Sequence, residues 1–248
     1  MGCKINASTS PILRKLPAIR ARVAPKSISF FSSSYARNDG ELTSTATTTQ
    51  FHLSRPNAYK VDFKTLGACK LGISRYPDFE YNAHGGTGSG HGSVASNGNP
   101  TGEISVSFDP DTLSIPPLTS VTTKFLGLPL PPFLRIDIVP QLFEGRICQE
   151  SGKVHLQFKA KFCFSVGSLY RAPPLIVETV LTSEESNGTV RGGRGERLDE
   201  EGNCRLVGVA SVDPIDDLLM NSFLGLPAEC IASLNAVISL SSSSSSSS

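Results

Sequence analysis

The stretch Val154-His-Leu-Gln-Phe-Lys-Ala-Lys-Phe-Cys-Phe-Ser-Val166 decides the fold class. Val154, Leu156, Phe158, Ala160, Phe162, Phe164 and Val166 share one parity, and His155, Gln157, Lys159, Lys161, Cys163 and Ser165 the other. Successive side chains of an extended chain point to opposite faces, so a period of two marks a strand with a dry side and a wet side. At about 3.3 Å per residue this strand reaches roughly 40 Å, long for a globular sheet. Glu150-Ser-Gly-Lys153 before it reads as a tight turn. Leu142–Cys148 and Val154–Val166 are therefore expected to form an antiparallel hairpin.

The same alternation recurs outward from this hairpin. Tyr59, Val61 and Phe63 alternate with Lys60, Asp62 and Lys64. Ile104, Val106 and Phe108 form a second such run, stopped by Asp109-Pro110, and Leu134, Ile136 and Ile138 a third, stopped at Pro140. Leu175–Thr182, Arg197–Asp199 and Cys204–Val212 complete the set, with a polar insert from Ser183 to Gly195. Beyond Asp213 the period lengthens. Ile215, Leu218, Leu219, Ser222 and Phe223 fit a helix capped by Asp213, with Pro214 at its first position and Gly225 and Pro227 ending it. Ile231, Leu234, Val237 and Ile238 predict a second apolar helix over Glu229–Leu240. The expected fold is mainly β (α+β), an antiparallel curled sheet, barrel-like or sandwich, with one or two C-terminal helices.

The N-terminus has a different composition. No acidic residue occurs between Met1 and Asn38, while Lys4, Arg14, Lys15, Arg20, Arg22, Lys26 and Arg37 are interleaved with serines. Such a leader is the mark of an organelle transit peptide, expected over residues 1–50 and expected to be disordered. Pro11, Pro17 and Pro25 disfavour the amphipathic helix of a mitochondrial leader, so the expected destination is the chloroplast, stroma or thylakoid, with the mitochondrion as runner-up. Gly2-Cys3 is not a lipidation signal, because Asn6 stands where the myristoylation pattern wants Ser or Thr. Residues 51–240 read as one β-rich domain with a Gly-rich loop at 84–100, and residues 241–248 as a disordered Ser tail. Net charge is +1 for the whole chain and turns acidic once the leader is set aside, which argues against nucleic acid as a partner. No run approaches the roughly 18 apolar residues of a membrane-spanning helix.

Signatures of chemistry are sparse. The six cysteines Cys3, Cys69, Cys148, Cys163, Cys204 and Cys230 form no CxxC pair and read as isolated structural thiols. His84-Gly-Gly-Thr-Gly-Ser-Gly-His-Gly92 lacks the Lys and the following helix of a phosphate loop, and His84 and His91 have no third metal ligand nearby. Arg191-Gly-Gly-Arg-Gly195 lies among acidic residues and reads as a solvated loop. No GxSxG elbow is present. Neither a catalytic residue nor a cofactor is assigned. Phe125-Leu-Gly-Leu-Pro129 recurs as Phe223-Leu-Gly-Leu-Pro227, each copy downstream of an Asp-Pro stop, either as a partial duplication or as repeated use of one kind of corner.

The candidate contact residues are Phe125, Leu126, Leu128, Leu130 and Phe133, in the Pro-stiffened run FLGLPLPPF, and Phe158, Phe162 and Phe164 on the dry parity of the long strand. The arrangement of Leu128–Pro140, Gly152–Phe162 and Leu206–Pro227 resembles that of uncharacterised plastid-targeted proteins of green plants. Strand-rich order with a closing helix also resembles START-type lipid-binding domains, although their early helix pair has no counterpart here unless Asp111–Lys124 supplies it. That resemblance implies a lipid-sized cavity. The leading expectation is a non-enzymatic plastid protein binding an apolar small molecule such as a lipid or pigment. The alternative is a membrane-peripheral or complex-assembly factor that docks through residues 125–133 on the thylakoid or envelope surface. A cyclase-like enzyme would require a polar group inside the sheet.

Overall fold

The chain divides into two units, residues 1–51 and 52–248. The computed structural model describes residues 58–94 and 102–242, all within the second unit. The expected leader, residues 95–100 of the expected glycine-rich loop and residues 243–248 of the expected tail lie outside the described residues.

Among the described residues fifteen strands and one α-helix follow one another, with a single 3-10 turn at Pro110–Thr112: β1 (Ala58–Thr65), β2 (Cys69–Ile73), β3 (Phe79–Tyr81), β4 (Thr87–Val94), β5 (Glu103–Phe108), β6 (Thr123–Phe125), β7 (Leu128–Pro129), β8 (Leu134–Cys148), β9 (Lys153–Val166), β10 (Tyr170–Arg171), β11 (Leu175–Thr182), β12 (Glu185–Asn187), β13 (Gly192–Arg194), β14 (Asn203–Val212), α1 (Leu218–Leu224) and β15 (Ala228–Ser242). All but β12 and β13 join one antiparallel sheet. The expected hairpin is its spine, with β8 and β9 paired from Leu134↔Val166 to Cys148↔Lys153. The sheet curls strongly, because β1 takes β4 on one edge and β15 on the other. It is not a closed barrel. Between β11 and β14 the ladder shrinks to the single pair Thr182↔Val207. Side chains bridge the rest of that seam: Thr179 Oγ1 donates to Val209 O at 2.8 Å, and Val209 N donates to Ser186 Oγ at 3.0 Å.

Several expectations are corrected. The glycine-rich segment is not a loop: Thr87–Val94 is the strand β4, paired with β1 and β5. Its glycines alternate strictly, and Gly88, Gly90 and Gly92 all face inward and are buried. A Cβ on Gly90 would lie 2.2 Å from Ser107 O, and one on Gly92 would lie 2.9 Å from Ile104 Cγ2. Glycine here accommodates the bulk of its neighbours rather than a bend. Opposite it, Phe63, Phe108 and Phe143 pack ring on ring, with Phe108 stacked on Phe143 at 4.7 Å and Phe63 edge-on to Phe143 at 5.0 Å.

Glu229–Leu240 is the strand β15 and not a helix. Cys230, Ala232, Leu234, Ala236, Ile238 and Leu240 share one parity, and the strand lies between β14 on one side and β1 and β2 on the other. Its apolar residues satisfy both periods, and pairing on both edges settles the choice. Ser241 and Ser242, expected in the tail, extend this strand against Lys60 and Tyr59. Pro140 does not end its strand, because β8 runs through it with a register shift between Pro140 and Leu142, where a missing N–H is tolerated. Arg197–Asp199 is not a strand, and the polar insert before it holds the β12–β13 hairpin instead.

The first helix exists but begins later than its Asp-Pro signal. Asp217, not Asp213, is the N-cap, its Oδ1 accepting from Met220 N at 2.9 Å. Asn221 pairs with the backbone of Ile215, donating to its carbonyl at 2.7 Å and accepting its N–H at 2.9 Å, and so holds residues 213–217 outside the helix.

Replacing Gly90 by Val should lower stability by about 3 kcal/mol, the upper end of the usual overpacking cost, while Ser93→Val on the exposed face of β4 should have little effect. Urea denaturation of both variants checks this.

Candidate functional site

The interior is layered. Near the β8–β9 turn the core is dense: Val61, Ile104, Ile147, Val154, Leu156 and Leu206 are fully buried around the three phenylalanines. Toward the other end it loosens. There Leu71, Phe79, Phe125, Leu134, Phe162 and Phe164 are only half-buried, packed on Cys69, Tyr81, Leu118, Leu130 and Ile136. Phe162 and Phe164 also touch the group around Ala172, Leu175, Met220 and Leu224, by which α1 joins the sheet. Phe158 lies deeper, against Phe143 at 5.8 Å.

The tip of this looser end is built by FLGLPLPPF. Phe125 pairs with Leu128 across Leu126 and Gly127, whose φ angles are 52° and 79°. Two central residues of positive φ match the twist of a two-residue hairpin, and Gly127 takes that conformation freely. Leu126 does not, nor does Phe133 at φ 70°. Both carry their side chains outward, Leu126 70% and Phe133 78% exposed, with Leu128 also at 70%. Leu130 points the other way. It is buried, its N–H donating to Thr123 O at 3.1 Å, and it anchors the loop. Phe125 is half-buried against Phe79, with ring centroids 4.7 Å apart.

The two FLGLP copies meet. Tyr76 lies between them, its ring 6.1 Å from Phe125 and 5.7 Å from Phe223, and its hydroxyl donates to Phe223 O at 2.6 Å. Their conformations differ entirely. The first is a hairpin turn; the second is the end of α1, where Gly225 at φ 70° is the C-cap. They are therefore the same corner chemistry used twice, brought to one end of the sheet.

Sequence reading missed other members of this surface. Leu169, at the turn between β9 and β10, is 91% exposed, and Gly167 N beside it donates to Phe133 O at 3.0 Å. Val121, Leu218 and Leu219 are also exposed. The available signal was an apolar residue at the tip of a turn, as in Val166-Gly-Ser-Leu169. Tyr170 ties this turn to α1 by donating to Asp217 Oδ2 at 2.6 Å, and burial together with that bond pushes its phenol up to about 12.

The Arg-Gly-Gly element is not a solvated loop. Arg191 Nη2 donates to Ile73 O at 2.8 Å and to Tyr76 O at 2.5 Å, and Nη1 contacts Asp78 Oδ1 at 2.7 Å. It thereby clamps the β2–β3 turn that carries Tyr76. Glu229 holds the turn of the β12–β13 hairpin, accepting from Val190 N at 2.8 Å, Arg191 N at 2.9 Å, and the backbone and hydroxyl of Thr189. These donors, the Thr189 hydroxyl foremost, hold its carboxyl down at about 2.

Other groups stand apart from the tip. His84, His91 and His155 are exposed. Among the described residues no three His, Cys, Asp or Glu side chains gather as a metal site, and the cysteines there are free thiols, with burial pushing Cys204 up to about 12 and Cys230 to about 11. The buried polar residues are Thr65, Thr123, Thr182 and Ser183. Thr182 and Ser183 bond the backbone of Val154. An open hollow of about 1000 Å³ on the outer face of β1, β4, β5 and β8 is lined by Ser89, His91, Ser105 and Arg146, and none of the eight sequence-derived contact residues borders it. Among the described residues no helix is long and apolar enough to cross a membrane. No protein-family model, curated protein or solved structure matches the chain.

The lowered pKa of Glu229 has a defined consequence. Its bonds contribute stability that is present above its ordinary value of 4.5 and is lost as pH falls toward about 2. Amide exchange in residues 185–194 should accelerate over that window while the β8–β9 ladder stays protected. Glu229→Gln should show the faster exchange already at neutral pH, with little further change on acidification.

Proposed function

We propose that this is a non-enzymatic, membrane-peripheral protein of the plastid that docks on a lipid surface through residues 125–133. One observation carries the reading: Leu126, Leu128 and Phe133 project into solvent at a tip stiffened by Pro129, Pro131 and Pro132 and anchored by Leu130. Large apolar side chains gathered at one end, two of them on left-handed backbone, have no use in packing and match what an interfacial anchor needs. The half-buried Phe162 and Phe164 behind the tip favour a second role, holding an apolar molecule such as a lipid or pigment drawn from that surface. The plastid assignment rests on the acid-free, Ser- and Pro-containing leader, and fusion of residues 1–50 to a fluorescent protein tests it, with mitochondrial import as the opposing result.

Docking predicts that Leu126→Asp with Leu128→Asp weakens binding to lipid vesicles by more than tenfold, because burying each leucine contributes about 1.5 kcal/mol or more. Vesicle co-sedimentation measures it. Unchanged binding would make the loop a structural cover only.

A further inference from the structure

Beside the apolar tip, the outer face of β8, β9 and β10 carries positive charge that the fold does not consume. Arg135 and Arg171 stand on either side of Ser165 in the ladder. Further along the same face of β9, Lys161 stands between Val139 and Ile176. Arg135 is neutralised by Asp137 at 2.7 Å, and the nearby Glu178 is taken by Lys159 at 3.0 Å. Lys161 and Arg171 have no ion pair within 4.0 Å among the described residues.

Exposed apolar side chains, Phe133, Val139, Leu169 and Ile176, lie on the same stretch of these strands and turns. The opposite end of the long strands has the opposite character. Glu150 lies in the β8–β9 turn, and Asp199, Glu200 and Glu201 lie close by, joined to it through Leu198 N donating to Gly152 O at 2.8 Å. The sheet thus has an acidic end and an apolar end whose β8–β9–β10 face carries unpaired cations, while the exposed Asp213 and Asp216 lie on its α1 side. That polarity would orient it on a negatively charged interface, apolar side chains entering the acyl boundary and cations meeting the headgroups.

Resting on the docking reading above, we propose that Lys161 and Arg171 select anionic lipid, so that the surface this protein recognises is a bilayer bearing negatively charged headgroups. Charge complementarity is what favours lipid over a second copy of the chain, whose matching face would bring the same cations against one another.

The chain contains no Trp, so Phe133→Trp places a single reporter at the tip. In the full-length protein its emission should shift to the blue with vesicles of phosphatidylcholine and phosphatidylglycerol in equal parts, and far less with phosphatidylcholine alone. Arg171→Gln and Lys161→Gln, made in that background, should each weaken binding about fivefold, and added salt should weaken it further. Because the basic leader itself favours anionic vesicles but is identical in all these proteins, its charge cancels only between the variants and their parent on one vesicle type, and that comparison carries the assignment to Lys161 and Arg171. Equal affinity for both vesicles, or no change in the two variants, overturns the anionic preference while leaving docking intact. A reporter silent with either vesicle overturns both. A blue shift that grows with protein concentration in the absence of lipid identifies self-association and overturns the proposal.

Discussion

The place of β4 in the sheet depends on one steric arrangement: a strand without side chains on its inner face, packed against the β5 backbone and the side chains of Leu113, Ile104 and Val61. Gly88, Gly90 and Gly92 leave β4 bare where Leu113, the β5 backbone at Ser107 and the side chains of Ile104 and Val61 stand. A Cβ at Gly90 would meet the backbone of β5, so β4 and β5 can approach this closely only if that position is glycine. On its other edge β1 takes β15. Glycine in a strand interior costs conformational entropy and weakens local propensity. Here that cost is offset by stacked aromatic rings and by the burial they permit.

The two ends of the same long strands are built to different standards. Around the β8–β9 turn, aliphatic side chains are excluded from water almost completely. At the far end, β2, β3, β6 and β7 continue the sheet with short strands, and α1 covers one side. Short strands bury less, and the phenylalanines there are left half-covered. The tip that projects beyond them is nevertheless firmly held. Leu130 anchors its base, Arg191 clamps the β2–β3 turn, Tyr76 spans from Phe125 to Phe223, and Tyr170 ties the β9–β10 turn to the N-cap of α1. The proposed docking surface therefore consists of exposed apolar side chains on a fixed frame, which limits the ordering cost of binding.

FLGLP shows how little a pentapeptide says about its own conformation. In one copy the glycine is the second residue of a hairpin turn, and in the other it caps a helix. Both uses need positive φ at glycine, and that shared need is all the local chemistry specifies. Whether the preceding residues pair with another strand or wind into a helix depends on partners elsewhere. Phe125 lies against β3, whereas Leu224 lies against Ala172 and Val212.

The sequence by itself determined the β class, the β8–β9 hairpin, and the inward parity of Val154, Leu156, Phe158, Ala160, Phe162 and Phe164, because side-chain alternation in an extended chain is a local property. It also singled out FLGLPLPPF, since five apolar side chains among three prolines have no regular element to enter. It could not show that β4 is a strand, because glycine carries no hydrophobic signal and its alternation has meaning only against the neighbours that crowd it. Nor could it choose strand over helix for Ala228–Ser242, whose apolar positions fit both periods until β14, β1 and β2 supply hydrogen bonds on both edges. Leu130 facing in while Leu126, Leu128 and Phe133 face out was likewise a tertiary decision. Chemically similar residues in one loop are sorted only by which of them finds a packing partner, and of these four only Leu130 joins the buried group of Leu118 and Ile136.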